Sequence, residues 1–171
     1  MLVPSSVESF MRPEIRRILV PVDFSAPAAR AIEYAAVLSA ELGATVHLLH
    51  VLEESFVSYG PWESHAGELA ERREAAVQGL SARLEAIASG FKGTKVTTDV
   101  RSGRAAREIV AVASSRGTDL IVMGTHGRTG LSHVMYGSVA EQVIRRADCA
   151  VLAVCERGVG YRRPIPLAVS Q

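Results

Sequence analysis

The sequence predicts a single doubly wound α/β domain: a five-stranded parallel sheet of strand order 3-2-1-4-5 with helices on both faces. Three observations lead there. Short runs that are apolar almost throughout, among them Ile18 to Val22, Thr45 to Leu52 and Asp119 to Met123, have the character of strands buried on both faces. Segments with apolar residues at helical spacing alternate with these runs through short connections, and a βαβαβαβαβ order calls for parallel pairing with right-handed helical crossovers. A length of 171 residues suits one core, able to bury roughly 70% of the surface that the unfolded chain would expose.

Met1 to Glu14 mixes Pro4, Ser5, Ser6, Ser9 and Pro13 with little periodicity and reads as an extension outside the core. The first strand, Ile18 to Val22, ends at Asp23-Phe24-Ser25. Pro21 cannot donate to a ladder, so it belongs near the strand's end. Ser25 is placed to cap a helix with Pro27 in its first turn and with Ala28, Ala31, Ile32, Ala35, Leu38 and Leu42 on one side, stopped by Gly43. The second strand, Thr45 to Leu52, is apolar apart from its histidines and runs into a long surface loop, Glu53 to Ser64.

A charged amphipathic helix follows from His65 to Ser89, with Leu69, Ala76, Leu80, Leu84 and Ile87 inward. Gly90 to Gly93 turns the chain, Lys95 to Val100 alternates as a strand, and Ser102-Gly103 opens a short helix that reaches Arg116. After the strand Asp119 to Met123 comes a glycine-rich loop. A helix from Ser138 to Ala147 and a last apolar strand, Ala150 to Val154, complete the order. The expected boundaries are an extension at 1–14, the α/β domain at 15–155 and a glycine-, arginine- and proline-containing tail at 156–171.

Charge and cysteine content exclude several classes. A balance of 19 Lys+Arg against 18 Asp+Glu denies the chain the positive field that non-specific nucleic-acid binding needs. No apolar run approaches a membrane span, and the first residues lack the basic flank and apolar core of a secretory signal, so a soluble, cytoplasmic protein is expected. Cys149 and Cys155 lie six residues apart on what reads as one strand, roughly 20 Å, beyond disulfide reach. Two such thiols fit a reducing compartment.

The stretch Met123 to Ser138, MGTHGRTGLSHVMYGS, carries the functional signal. It follows a buried strand and leads into a helix, the order in which α/β proteins build anion sites. Gly124, Gly127, Gly130 and Gly137 free the backbone for positive φ, so that N–H groups can converge on a phosphate near a helix start at Gly137-Ser138. The competing reading is that these glycines only make the turn. In the predicted strand order the first and fourth strands are neighbours where the winding reverses, and ligands bind beyond their carboxyl ends. Pro21-Val22-Asp23 and the glycine loop therefore face one crevice. Asp23 there is either an acceptor for ribose hydroxyls or Mg²⁺, or a turn residue bonding its own backbone.

The chain resembles the universal stress proteins from about Arg16 to Val154. The resemblance rests on the opening strand ILVPVDFS, the second strand ending LLHV, and a G-x-x-G motif followed by nine residues and G-S. Here that motif is Gly124-Thr-His-Gly127, then nine residues, then Gly137-Ser138. In this family the intact motif marks the branch that binds ATP, so the resemblance implies an ATP site. Carried over residue by residue, it sets adenine against Pro21, Val22 and Val51, and Asp23 at the adenine or ribose. It sets Met123 and Gly124 on the ribose side. The backbone of Gly127, Gly137, Ser138 and Val139 holds the phosphates, with the Ser138 hydroxyl a further donor or an Mg²⁺ contact.

Arg128 has two readings, a contact to the terminal phosphate or a solvated loop residue. His126 and His133 are read as loop residues, since no third metal ligand sits at sensible spacing, and His50 as a strand residue beside the site rather than a base. No G-x-x-x-x-G-K-[ST] loop, G-x-S-x-G elbow or adenylating-type S-x-G-x-x-D-S loop occurs. Binding with at most slow hydrolysis is expected, not an enzyme. Residues 150 to 154 are apolar on both faces of a sheet edge, which either pairs with a second copy about a two-fold axis or is covered by the tail. The resemblance implies the homodimer. The other functional class left open is an interaction module without a working nucleotide site.

Overall fold

The computed structural model describes residues 14–53, 66–125 and 137–155. Strands and helices alternate along them: β1 (Arg17–Pro21), α1 (Ala26–Leu42), β2 (Thr45–Leu52), α2 (Ala66–Ala88), β3 (Val96–Ser102), α3 (Ala105–Ser115), β4 (Leu120–Thr125), α4 (Ser138–Arg146) and β5 (Ala150–Cys155). All neighbouring strands pair in parallel, in the order β3-β2-β1-β4-β5. This is the doubly wound order predicted from the sequence. The extension before Glu14, most of the loop after Glu53 and the tail beyond Cys155 lie outside the described residues.

Period-two alternation divides β1, β2, β4 and β5 between two cores. Ile18, Val20 and Val22 of the first strand segment join Ala31 and Ala35 of α1 and Leu84 of α2 on one face. Leu19 joins Leu49, Ile121 and Met123 against Ile109 and Val112 of α3 and Ala140 and Val143 of α4 on the other. Burying each such Leu or Ile contributes about 1.5–3 kcal/mol, which is why a parallel sheet needs helices on both sides.

The ends of α1 follow the sequence signals. Ser25 is extended at φ −81° and ψ 166°, its hydroxyl accepts from the Ala28 N–H, and Gly43 stops the helix in the left-handed conformation at φ 64°. Two expected inward residues face water instead. Leu42 is 48% exposed at the last position of α1, whereas Ser39, a turn earlier, is buried with its hydroxyl 3.2 Å from that of Thr94, just before β3. Ala76 is exposed, and among the described residues α2 meets the core through its second half, where Leu84 is buried and Leu80 and Ile87 are half-buried.

At the amino ends of the central strands, the Asp119 carboxylate accepts from the Arg16 N–H at 3.0 Å and the Arg17 N–H at 2.8 Å. Burial works against its charge, but these hydrogen bonds and the Arg17 side chain outweigh burial and hold the carboxyl below its ordinary range. Among the described residues, no helix is long and apolar enough to cross a membrane.

His47 is the main polar group inside the sheet. It is 7% exposed, its Nδ1 lies 2.8 Å from the Thr97 hydroxyl, and its Nε2 has no partner. Burial, reinforced by the positive charge of Arg116 and against the pull of Asp99, lowers its pKa to about 4 from 6.5. The unfolded chain thus takes up a proton between pH 6.5 and 4 that the folded chain refuses, so stability is lost as pH falls through that window. We expect urea unfolding to show that moving from pH 7 to pH 5 costs the wild type about 2 kcal/mol more than it costs a His47→Leu variant.

Candidate functional site

The central strands part company early. β1 follows β2 through five pairs, to Pro21↔Leu49, but is in register with β4 only at Ile18↔Leu120 and Leu19↔Ile121. Beyond that point β1 leads to α1 on one face and β4 toward α4 on the other, so a crevice opens at the carboxyl ends where the winding reverses. A cavity of about 610 Å³ occupies it, within the range of small-molecule sites.

The cavity is built from every element that ends or begins there. Pro21, Val22 and Asp23 come from the end of β1, and Leu49, Val51 and Glu53 from β2 and just beyond it. Met123 and Gly124 come from β4, Ala105 and Ile109 from α3, and Gly137 through Ala140 from the start of α4. Of the residues nominated by sequence, Pro21, Val22, Asp23, Val51, Met123, Gly124, Gly137, Ser138 and Val139 are thus brought together. Gly127 and Arg128 lie outside the described residues, as do Gly130, His126 and His133.

Leu49, Glu53, Ala105, Ile109 and Ala140 went unnominated. Leu49 had a signal, since it lies two residues before Val51 and so shares its face of the strand. Ala140 lies two residues into α4 from Ser138. Ala105 and Ile109 have only the i, i+4 spacing of ordinary core residues, and their place at the cavity follows from where α3 lies in the fold.

Two of the four loop glycines, Gly124 and Gly137, lie within the described residues, and neither takes the positive φ expected of it. Gly124 is absent from the positive-φ glycines of the described residues, and Gly137 has φ −56°. What Gly124 provides is close approach: a Cβ there would stand 2.5 Å from the Pro27 carbonyl carbon and 2.7 Å from the Ala28 nitrogen. The end of β4 therefore lies directly against the first turn of α1. Gly137 is the N-cap of α4 and offers no side-chain cap, and Arg104, the N-cap of α3, makes none. The first N–H groups of both helices are left for other partners, and residues of both first turns border the cavity.

The turn after β1 takes up strain. Phe24 has φ 61°, a left-handed conformation that costs a bulky residue about 1–3 kcal/mol. Its ring lies 5.0 Å from the His50 ring, and the Arg83 guanidinium sits 3.7 Å from the ring centre. Asp23 Oδ1 accepts from the Ser25 N–H at 3.0 Å and the Ser25 hydroxyl at 2.5 Å. The turn reading of Asp23 therefore holds, and the same side chain borders the cavity. The charged residues on the described wall are Asp23 and Glu53, both carboxylates, while the positive potential comes from the starts of α4 and α3. The arrangement favours a ligand with hydroxyl or amino donors at one part and an anionic group at another.

A doubly wound parallel sheet with a cavity at its switch point defines a class of α/β ligand-binding folds. Within that class, the chain belongs to the Universal stress protein family, whose model matches residues 14–154. It is 36% identical over 143 residues to universal stress protein MJ0531 of Methanocaldococcus jannaschii, covering 81% of each chain. The solved structure of MJ0577, from the same organism, superposes with a TM-score of 0.71 at 30% identity, covering 83% of this chain and 96% of that one. A universal stress protein solved in complex with cAMP shares the fold at a TM-score of 0.60 and 21% identity, covering 84% and 98%.

Because the Gly124 contact is with backbone atoms that cannot rotate away, a Gly124→Ala substitution is expected to destabilise the protein by about 2–3 kcal/mol. Chemical denaturation measures it, and an unchanged midpoint would show that α1 and β4 do not meet as described.

Proposed function

We propose that this protein binds ATP with Mg²⁺ in the cavity at the carboxyl ends of β1 and β4, and acts as a homodimeric, nucleotide-dependent regulator with at most slow hydrolysis. The observation that carries the reading is convergence. Residues 21–23, 51, 123–124 and 137–139 are far apart in the chain and border one cavity, into which α4 begins without a side-chain cap. A relative of the same fold holds an adenine nucleotide, cAMP, which adds support.

In this reading the base lies against Pro21, Val22 and Val51, whose apolar surfaces suit a purine face. Asp23 accepts from the base or the ribose hydroxyls, and Met123 and Gly124 lie on the ribose side. The N–H groups at Gly137, Ser138 and Val139 meet the phosphates, because the first N–H groups of a helix have no partners within it and carry its positive end. The Ser138 hydroxyl donates to phosphate or touches Mg²⁺, whose charge would offset the carboxylates of Asp23 and Glu53 facing the same cavity. Gly127 and Arg128 belong to the phosphate side by their place in the motif. ATP is then a state-setting ligand, favouring the conformation it contacts best.

The homodimer is proposed from the contrast between the two sheet edges. β3 carries Thr97, Thr98, Asp99 and Arg101, polar residues that blunt an edge. β5 reads AVLAVC, without a charge. Pairing β5 with its copy about a two-fold axis gives its unpaired backbone groups partners.

Nucleotide-stripped protein melted with ATP and Mg²⁺ at a hundred times the dissociation constant should gain about 2.7 kcal/mol, a rise of roughly 5–11 °C, with GTP as the control. Asp23→Ala and Val51→Trp should each remove most of that rise. No rise at millimolar ATP would replace this reading with that of an interaction module. For the assembly, sedimentation should give twice the monomer mass for the wild type and the monomer mass for Val151→Lys. A wild-type monomer would show that the edge is covered from within the chain.

A further inference from the structure

The turn between β1 and α1 is held to β2 partly by a side chain. β1 ends at Pro21, and the next N–H, that of Val22, still donates to the Leu49 carbonyl at 2.8 Å. The Val22 carbonyl meets the His50 side chain instead, whose Nδ1 lies 2.7 Å away. A carbonyl only accepts, so Nδ1 carries the proton and donates it. The same imidazole stacks against Phe24, the one non-glycine residue with positive φ among the described residues. Arg83 of α2 covers the Phe24 ring as a cation over its face. Asp23, the residue between these two held positions, borders the cavity.

We propose that His50 is a positioning residue for this site: by donating to the Val22 carbonyl and packing on Phe24, it keeps the strained turn in the conformation that sets Asp23 at the cavity wall. The ligand part of this proposal rests on the nucleotide reading. A left-handed phenylalanine persists only where its surroundings over-determine it. Here those surroundings are the His50 ring and the Arg83 guanidinium. Removing the imidazole leaves the Val22 carbonyl without its donor and Phe24 without its stacking partner, and the turn relaxes toward negative φ, carrying Asp23 with it. Both the neutral Nδ1–H tautomer and the imidazolium can make the bond, so the role is that of a strut rather than of a base.

The test compares His50→Leu with His50→Asn in the full chain. Leucine approximates the volume without a donor, whereas the asparagine amide places an N–H near the position of Nδ1. Two readouts are taken: solvent exchange of the Ser25 amide, which bonds Asp23, measured by NMR, and titration with ATP and Mg²⁺. His50→Leu should speed Ser25 exchange and weaken ATP about tenfold, the size of effect expected for losing one hydrogen bond's contribution. His50→Asn should return both to within about threefold of wild type, even if it melts no higher than the leucine variant. A purely structural histidine would instead make affinity follow melting temperature. Unchanged Ser25 exchange in His50→Leu overturns the proposal, as does equal weakening in the two variants. If the wild type fails to bind ATP while Ser25 exchange is raised by leucine and restored by asparagine, the strut is supported and the nucleotide reading alone is overturned.

Discussion

Everything at the carboxyl end of the sheet depends on the early parting of β1 and β4. Two register pairs join them, at Ile18 and Leu19, and no crossover helix lies between them to hold their ends together. In a doubly wound sheet the helices on the two sides of this point pack on opposite faces, so the chains leaving β1 and β4 diverge by construction. The gap must be filled by side chains or left as a cavity. Here Met123 and Ile109 are buried within the core beneath it, while Val51, Asp23 and Glu53 remain accessible around it, and about 610 Å³ stays open.

The walls of that gap are set by contacts of different kinds. Gly124 lets the backbone of β4 come against the first turn of α1, a rigid contact that admits no side chain. The Phe24 turn is held in an unfavourable backbone conformation by groups from β2 and α2. The starts of α3 and α4 bring N–H donors that no N-cap side chain caps to an otherwise apolar and acidic surface. Rigid backbone on one side, a braced turn on another and helix ends on a third are the parts from which a pre-organised binding surface is made.

The two described histidines show how one strand serves both stability and the site. His47 and His50 are three residues apart, so the pleat sends them to opposite faces. His47 faces α3 with Leu49 and stays neutral, at the cost of an unpartnered Nε2. His50 faces the side of α1 and α2, where it finds the Val22 carbonyl and the Phe24 ring. Only its place three residues after His47 in a parallel strand separates the two fates.

Much of this was legible in the sequence. Unbroken apolar runs named the strands, Ser25 and Gly43 marked the ends of α1, and the handedness of crossovers left few strand orders, of which the doubly wound 3-2-1-4-5 is the one found. The crevice followed from that order, and with it the meeting of residues 21–23 with 123–124 and 137–139. These features depend on local propensity and chirality, which any stretch of chain carries within itself. Tertiary structure alone decided the rest. Leu42 and Ala76 have the right helical phase for burial and are exposed, because phase does not say where a helix overhangs its sheet. Ala105 and Ile109 look like core and reach a cavity, Gly124 serves close packing rather than positive φ, and Phe24 takes a conformation its own type disfavours. Each of these depends on atoms distant in sequence meeting at a fixed separation, and periodicity carries no information about that distance.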